Sequence, residues 1–360
     1  MRIAIIAITR GGASLGNIIC DRVDGTELYV SSRYADQIGQ QATCFEASEL
    51  RGLIASLWKR YDGFILIMAT GIVVRMIAAL LESKSTDPAV VVMDDAGRFA
   101  ISLLSGHLGG ANELAGRCAA ATGAQAVITT ATDANQLPSF DMLAKDQGWV
   151  IDDISRVKIL NTLLLDDQEI AVVDSTGLAR NWLKGRGCVS FHESFAVAQK
   201  SSAAGFLFVS NRLMPPDSCP ENLLILRPRN LVLGIGCNRG TPADEIAEFV
   251  TAQLAQTSLA IESVACIATA TAKRDETGLI EYAIRLGVPL VCFESNELNR
   301  VTVPSPPSAH VLAAIGATGV AEPAAILASG GGRLLLNKVK SANVTLAVAE
   351  KGIPACEPNH

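Results

Sequence analysis

Charged and aromatic side chains are scarce in this 360-residue chain. Charged residues make up 18% and aromatic residues 5%, whereas hydrophobic residues make up 49%. The formal net charge of -6 leaves no broad basic surface, which argues against nucleic acid as a partner. A chain with so few charges must bury most of its strands on both faces, as is typical of parallel sheets covered by helices. At this length we expect more than one domain.

Metal-ligand, disulfide and membrane patterns are also missing. The nine cysteines include no CxxC pair, which favours a reducing cytoplasm as the location. A long apolar run, residues 63–81, is interrupted by Thr70, Gly71 and Arg75, so we interpret it as a strand and a helix rather than a membrane span. The histidines have no second ligand at zinc spacing, and we predict no metal bound by the protein itself. They are His107, His192, His310 and His360.

The order of apolar runs and turns divides the chain into three parts. Residues 1–135 and 229–352 alternate strands with helices, and each is predicted to be a three-layer α/β domain with a mostly parallel sheet. Residues 136–228 are predicted to be a small α+β middle unit. The segment 212–230 carries four prolines and is interpreted as the boundary before the last domain.

The segment DDAGRFAISLLSGHLGGANELA, residues 94–115, concentrates more potential chemistry than any other. Its two aspartates follow a buried strand, at the end where open α/β sheets bind ligands. A Ser-Gly-His turn and a double glycine then begin a helix with Asn112 in its first turn. Candidate acids and bases are His107, Asp94, Asp95 and Glu113. For each of them the alternative role is a capping or turn hydrogen bond.

Backbone donors and glycine turns add possible anion sites. The N–H groups of Gly109 and Gly110 are candidates to bind an oxyanion or a carboxylate. A Ser105–His107 nucleophile pair is disfavoured, because residues two apart in a turn rarely face each other and no GxSxG pattern occurs. The turn GIGCNRGTPADE resembles a dinucleotide fingerprint, but its G-x-G-x-x-x-G spacing is one residue too long, which disfavours a nucleotide-binding protein. Its Cys237, Asn238 and Arg239 are predicted to project from the edge of the sheet.

Several motifs together resemble the CbiG family, the cobalt-precorrin-5A hydrolases of anaerobic cobalamin biosynthesis. The resemblance rests on SGHLGGAN with the preceding DDAGRFAISLL, on GIGCNRGTPADEI, on AKRDETGL and on GVAEPAAILASG, and it covers nearly the whole chain. It implies a hydrolase that opens the δ-lactone of a cobalt-containing tetrapyrrole and releases a two-carbon fragment as acetaldehyde. The cobalt would belong to the substrate, so the protein would need no cofactor. Neighbouring enzymes of the pathway are possible partners.

The Ser-Gly-His turn leads to a hypothesis about roles. His107 would act as general base, with Asp94 or Asp95 orienting it and the glycine N–H groups receiving the oxyanion. The substrate's carboxylates would need cationic partners in a cleft between domains. The residues expected to bind substrate are Ser105, Gly109, Gly110, Asn112, Arg10, Arg75, Arg98, Cys237, Asn238, Arg239, Lys273, Asp275 and Glu276. The last domain also resembles the stand-alone protein CobE, so a non-catalytic tetrapyrrole carrier is the alternative.

Overall fold

The computed structural model describes residues 1–37, 42–83, 86–215 and 219–352. The chain forms two compact units, one of residues 1–142 and one that begins at residue 143. The first unit contains one sheet and the second contains two. All three sheets mix strands with covering helices, so the predicted α/β class is confirmed.

The first unit is a seven-stranded sheet with helices on both faces. Its strands are β1 Ile3–Ala7, β2 Thr26–Ser31, β3 Thr43–Phe45, β4 Gly63–Ile67, β5 Ala89–Met93, β6 Phe99–Leu104 and β7 Gln125–Val127. Its helices are α1 Arg10–Cys20, α2 Leu50–Leu57, α3 Thr70–Ile77, α4 Ala111–Thr122 and α5 Ala131–Ala134, and α6 Phe140–Gln147 continues into the second unit. Alternate residues of β1 pack with α1 and α4 on one face and with α2 and α3 on the other.

Strand direction in this sheet positions its loops. The strands lie in the order β3-β2-β1-β4-β5-β6-β7, and the first five strands in this order are mutually parallel. β6 is antiparallel to β5, with Val90 opposite Leu104 and Met93 opposite Ala100, and β7 is parallel to β6. We call the edge where β1, β4 and β5 begin the amino edge. Because of the reversal, β6 and β7 both end at this amino edge.

The second unit begins with a five-stranded sheet in the order β10-β9-β11-β12-β8. Its strands are β8 Val150–Ile151, β9 Ile170–Asp174, β10 Val189–His192, β11 Gly205–Val209 and β12 Leu223–Arg227, and its helices are α7 Ile154–Leu165, α8 Leu178–Leu183 and α9 Phe195–Ala198. Four strands are parallel and β8 is antiparallel at one edge. β12 lies inside segment 212–230, and the prolines of that segment gave no sign of a strand. Its LLILR run is buried throughout, and this apolar run outweighs the flanking prolines.

The last sheet has the order β15-β14-β13-β17-β16. Its strands are β13 Leu231–Cys237, β14 Val264–Ala270, β15 Leu290–Phe293, β16 Leu334–Lys340 and β17 Val344–Glu350. Its helices are α10 Ala243–Gln256, α11 Thr277–Leu286, α12 Ser295–Leu298, α13 Ala309–Ile315 and α14 Ala321–Ala328. β13 to β15 are parallel, whereas β17 is antiparallel to both β13 and β16.

The glycines of the GIGC segment lie within β13 rather than in the turn after it. A Cβ added to Gly234 would lie 1.9 Å from the carbonyl oxygen of Ala321 in α14. A Cβ at Gly236 would lie 2.6 Å from the hydroxyl oxygen of Thr345 in β17. The G-x-G spacing therefore allows a helix and a neighbouring strand to pack closely against β13, and only Gly240, with φ +72°, belongs to the turn.

Candidate functional site

His107 lies at the amino edge of the first sheet, where two loops meet. One loop follows β6 and begins α4, and the other follows β7 and contains Asp133. The loops are adjacent because β6 and β7 are parallel neighbours joined by α4. His107 Nε2 lies 2.8 Å from Asp133 Oδ2 and 3.1 Å from Thr132 Oγ1. His107 Nδ1 lies 3.5 Å from Asp141 Oδ2 and 3.5 Å from Ser139 Oγ.

The two carboxylates determine the protonation of His107. Its hydrogen bond with Asp141, followed by that with Asp133, raises the pKa of His107 even though burial acts in the other direction. Burial alone would raise the pKa of Asp141, but hydrogen bonds from His107 and Ser139 outweigh it and hold that pKa below its usual range. The arrangement therefore favours an imidazolium between two carboxylates, Asp133 on one side and the more buried Asp141 on the other.

Asp133 is held by further donors around His107. Asn112, in the first turn of α4, donates from Nδ2 to Asp133 Oδ2 at 3.0 Å and to Thr130 Oγ1 at 3.0 Å. The Thr130 hydroxyl donates a short hydrogen bond to the same Asp133 oxygen. Ser102 in turn donates to Asn112 Oδ1 at 2.6 Å, which fixes the orientation of the amide. Oδ2 thus has several donors, while the side chain of Asp133 remains 44% exposed.

The backbone of the Ser105–Gly110 turn is tightly constrained. Ser105 has a φ of +57°, and its hydroxyl donates to the carbonyl of Asp87 at 3.0 Å. A Cβ added to Gly109 would lie 2.3 Å from Ser105 Cβ, so only glycine fits there. The N–H of Gly110 donates to the carbonyl of His107 at 2.9 Å. The prediction of Gly110 as an oxyanion donor is therefore wrong, because its N–H already closes the turn.

Asp94 and Asp95 lie at the opposite edge from His107. Both follow the carboxyl end of β5, whereas His107 follows the strand antiparallel to it, so about 15 Å of sheet separates them. Asp94 Oδ1 accepts from the N–H groups of Arg98 and Phe99. Asp95 Oδ1 accepts from the Gly12 N–H at 2.9 Å, at the start of α1. The hypothesis that either aspartate orients His107 is thus wrong, since both stabilise turns.

The other residues predicted in the first unit are spread around the sheet. Glu113 is exposed in the first turn of α4. Arg10 is exposed at the start of α1, after the carboxyl end of β1. Arg75 bonds back to the Gly71 carbonyl at 2.9 Å within α3, and Arg98 forms an ion pair with Asp94 at 3.3 Å. These three arginines follow the carboxyl ends of β1, β4 and β5, so the fold does not bring them to the edge that carries His107.

The predicted residues of the last domain do come together, because β13 and β14 are parallel neighbours. Arg239 Nη1 lies 3.5 Å from Asp275 Oδ2 and 3.5 Å from Glu276 Oε1. Lys273 Nζ lies 3.3 Å from the same Glu276 oxygen. Glu276 is 5% exposed and also accepts the Gly240 N–H at 3.1 Å, so it links the two turns.

Cys237 and Asn238 border this cluster. Burial raises the pKa of the Cys237 thiol to about 11, which favours the protonated thiol over the nucleophilic thiolate at neutral pH. Asn238 pairs with Asn343, which follows β16, through both its backbone N–H and its side-chain amide, each at 2.9 Å. The prediction that the last domain and the His107 loop line one cleft between domains stays a prediction.

A cavity of about 510 Å³ opens at the amino edge of the first sheet. Gly109, from the turn that carries His107, contributes to its lining. Lys59 and Glu82 form an ion pair at 2.8 Å in the same lining. The cavity thus adjoins the turn that carries His107.

The sequence reasoning missed Asp133, Asp141, Thr130 and Ser139. Asp133, Ser139 and Asp141 lie in the polar segment ATDANQLPSFD, residues 131–141, and Thr130 immediately precedes it. A usable signal was its position after β7, because loops that follow parallel neighbouring strands meet at one edge of a sheet. Within the described ranges no group of three or more His, Cys, Asp or Glu side chains is placed to hold a metal ion, and no helix is long and apolar enough to cross a membrane.

Comparison with known proteins identifies the family. The description "Cobalamin synthesis G N-terminal" matches residues 52–133, "Cobalamin biosynthesis central region" matches 138–228, and "Cobalamin synthesis G C-terminus" matches 231–349. This chain belongs to the cobalamin synthesis G family. The resemblance found in the sequence motifs is thereby confirmed.

Relatives within the cobalamin synthesis G family cover nearly the whole chain. A cobalt-precorrin-5A hydrolase of Priestia megaterium is 38% identical over 353 residues, which is 96% of this chain and 94% of the relative. One of Salmonella typhimurium is 34% identical, covering 85% of this chain and 90% of the relative. A shorter protein, "Protein CobE" of Sinorhizobium sp, is 34% identical over 35% of this chain and 88% of its own length. The chain is a hydrolase of cobalamin biosynthesis.

Proposed function

We propose that this chain hydrolyses cobalt-precorrin-5A, opens its δ-lactone and releases the two-carbon bridge as acetaldehyde, leaving cobalt-precorrin-5B. The observation that carries the proposal is the similarity over 96% of the chain to a relative named cobalt-precorrin-5A hydrolase. In this proposal the cobalt enters and leaves with the tetrapyrrole. The protein then has to supply acid–base chemistry, oxyanion donors and partners for the substrate's carboxylates.

The reaction needs a base twice. Water attacks the lactone carbonyl, its proton goes to the base, and collapse of the tetrahedral oxyanion breaks the C–O bond to give a carboxylate and a hydroxyl. The hydroxyl then loses its proton to the base, its oxygen forms the aldehyde carbonyl, and the carbon–carbon bond breaks. The electron pair of that bond stays with the macrocycle, which takes up a proton. A base that exchanges protons easily with a neighbouring group suits both steps.

Asp133 is the group best placed for this role. Both nitrogens of His107 face carboxylates, so the imidazole is poorly disposed to accept a proton directly from water. Asp133 presents a partly exposed carboxylate whose Oδ2 is fixed by His107, Asn112 and Thr130. We therefore assign Asp133 as the base and His107 as the positioning residue that orients it and moves protons behind it.

The turn beside His107 supplies the oxyanion site in this proposal. The Gly109 N–H donates no hydrogen bond within the described ranges, and Gly109 borders the cavity of about 510 Å³. The positive φ of Ser105 and the absence of a side chain at Gly109 hold the backbone in this conformation. For the substrate's carboxylates we assign Arg239, which is 69% exposed, and Lys273 beside it.

The test is release of acetaldehyde from cobalt-precorrin-5A, followed with alcohol dehydrogenase and NADH. Asp133→Asn should lower kcat at least about 100-fold if Asp133 is the base. Asp166→Asn, a matched change at an exposed position after α7, should leave kcat unchanged. Acetaldehyde release at the wild-type rate by Asp133→Asn would reject the assignment of the base but not the proposed reaction.

A second pair of variants tests His107. His107→Gln removes the imidazolium while keeping a polar side chain, and it should lower kcat with little change in KM, because His107 acts through Asp133. His192→Gln is the matched control, since His192 lies at the end of β10 and contacts Ser190. A tenfold rise in KM with unchanged kcat would instead mean that His107 only helps to bind substrate.

The similarity to "Protein CobE" over 35% of the chain supports a second candidate function, a non-catalytic tetrapyrrole carrier. The same assay separates the two. A carrier would bind cobalt-precorrin-5A with a constant stoichiometry and release no acetaldehyde over many equivalents of substrate. The acid–base cluster of His107, Asp133 and Asp141 favours the hydrolase.

A further inference from the structure

A basic pocket lies beside the edge strand of the middle sheet. It is formed by α8, by the turn 184–188 and by β10, and we call it the α8 pocket. Its volume is about 380 Å³. The lining residues are Arg180, Asn181, Leu183, Lys184, Gly185, Gly187, Val189 and Phe191. None of them belongs to the groups considered above for the hydrolytic reaction.

Two arginines here lie against aromatic rings. The guanidinium carbon of Arg180 is 4.5 Å from the centroid of the Phe191 ring, and that of Arg186 is 5.0 Å from the Trp182 ring. The Trp182 indole N–H donates a hydrogen bond to Asp146 Oδ2 at 2.9 Å, which fixes the ring. Stacking on a ring holds a guanidinium in place while its N–H groups still point outward, so both arginines are pre-organised for an anion.

These cations lack acidic partners. Across the part of the chain that the structure describes, no carboxylate oxygen lies within 4.0 Å of a charged nitrogen of Arg180, Lys184 or Arg186. Two other arginines of the same unit, by contrast, have carboxylate partners: Arg227 pairs with Asp152 at 3.0 Å, and Arg285 pairs with Asp244 at 2.5 Å. In a chain with a net charge of -6, Arg180 and Lys184 in the lining, with Arg186 in the adjoining turn 184–188, make a local site for an anionic ligand.

The pocket also has an apolar part. Leu183 is fully buried, and Val189 and Phe191 are half-buried in the lining. Ligand cavities measure about 300–1,000 Å³, so this one accommodates part of a large molecule rather than the whole of it. Cations at the rim and an apolar floor suit a pyrrole ring that carries carboxylate side chains.

We infer that the α8 pocket binds carboxylate side chains and the adjoining pyrrole edge of the tetrapyrrole, through residues other than those of the acid–base cluster. The inference deepens the proposed function and rests on it for the identity of the ligand. It assigns to the middle unit a part in substrate binding.

A binding experiment with the full chain tests the pocket directly. The probe is uroporphyrin, a tetrapyrrole with carboxylates on every pyrrole, and its absorbance change gives Kd. Changing all three cations together (Arg180→Gln, Lys184→Gln and Arg186→Gln) should raise Kd at least about tenfold and weaken its dependence on salt. The control changes three exposed arginines on other elements, Arg33→Gln, Arg51→Gln and Arg300→Gln, and should leave Kd unchanged.

Trp182 provides a local readout. Uroporphyrin should quench its fluorescence, and Trp182→Phe should remove that quenching while absorbance still reports binding. The single change Lys184→Gln tests the pocket independently of the stacked arginines, should the triple variant fold poorly. Equal Kd values for wild type, Lys184→Gln and the triple variant would overturn the inference. Inorganic phosphate bound as tightly as uroporphyrin would also overturn it, because the pocket would then be a general anion site.

Steady-state kinetics separate this inference from the proposed function. With cobalt-precorrin-5A, the triple variant should show KM raised about tenfold at an unchanged kcat, since the pocket binds ground state and transition state alike. If wild type releases acetaldehyde and the variant's KM is unchanged, the pocket assignment fails and the hydrolase stands. If wild type releases none, yet uroporphyrin binding depends on the three cations, the hydrolase fails and the pocket stands.

Discussion

Replacing Asp141 by Asn should lower the pKa of His107. The carboxylate of Asp141 lies 3.5 Å from His107 Nδ1 and is nearly buried, with a side chain 10% exposed. Asn keeps the size and a hydrogen-bonding oxygen but removes the negative charge. The imidazolium would then keep only one of its two carboxylates, Asp133 at 2.8 Å from Nε2.

The magnitude follows from the geometry. An opposite charge within about 4 to 6 Å shifts a pKa by about 1 to 3 units. Because Asp133 remains in place, we expect the pKa of His107 to fall by about one unit, which corresponds to about 1.4 kcal/mol. The change Asp133→Asn should act in the same direction, and the two together should lower the pKa further than either alone.

The assay is an NMR titration of the histidine Cε1 protons, with the signal of His107 assigned through His107→Gln. Asp94→Asn is the control, because Asp94 lies across the sheet at a distance of about 15 Å and screening weakens charge interactions beyond about 8 Å. A pKa of His107 unchanged by Asp141→Asn would refute the reasoning. A shift caused by Asp94→Asn would refute the assignment of the two edges.

The same pKa shift predicts how stability depends on pH. Since folding raises the pKa of His107, its pairing with Asp141 stabilises the protein fully below about pH 6.5 and is lost as the pH rises through the folded-state pKa. Asp141→Asn should therefore destabilise the protein by about 1 kcal/mol more at pH 6 than at pH 9. Urea unfolding at both pH values measures the difference, and equal losses at the two values would contradict it.

Three further changes test the fold, each by urea unfolding. Gly234→Ala should lower the free energy of unfolding by at least about 3 kcal/mol, because the added Cβ would overlap the Ala321 carbonyl oxygen. The control Gly116→Ala lies in a helix with open space around it and should raise the free energy of unfolding by up to about 1 kcal/mol. Asp95→Ala should cost about 1 to 2 kcal/mol through loss of the hydrogen bond at the start of α1; no loss would mean that water replaces it. Glu276→Gln should lower the free energy of unfolding by about 1 to 3 kcal/mol, because it weakens the buried contact between the turns after β13 and β14. An unchanged urea midpoint would show that this contact does not stabilise the fold.

The sequence predicted most of the strands that are buried on both faces, because an uninterrupted run such as Phe64 to Met68 can fit only a covered sheet. It missed β2, β3, β8, β12 and β16. The residues of β16 are only half-buried and follow no clear alternation, and prolines flank β12. Edge strands and short strands carry little pattern, so local sequence alone does not reveal them.

What the sequence determined by itself is the set of chemical groups and their order along the chain. The motif SGHLGGAN contains His107 and Asn112, which both contact Asp133 in the structure. Only the tertiary structure decided which carboxylates join them. Asp94 is 13 positions from His107 yet lies across the sheet, whereas Asp141 is 34 positions away and contacts the ring. The cause is one reversal of strand direction, between β5 and β6, and strand direction depends on pairing with distant strands that no local pattern encodes.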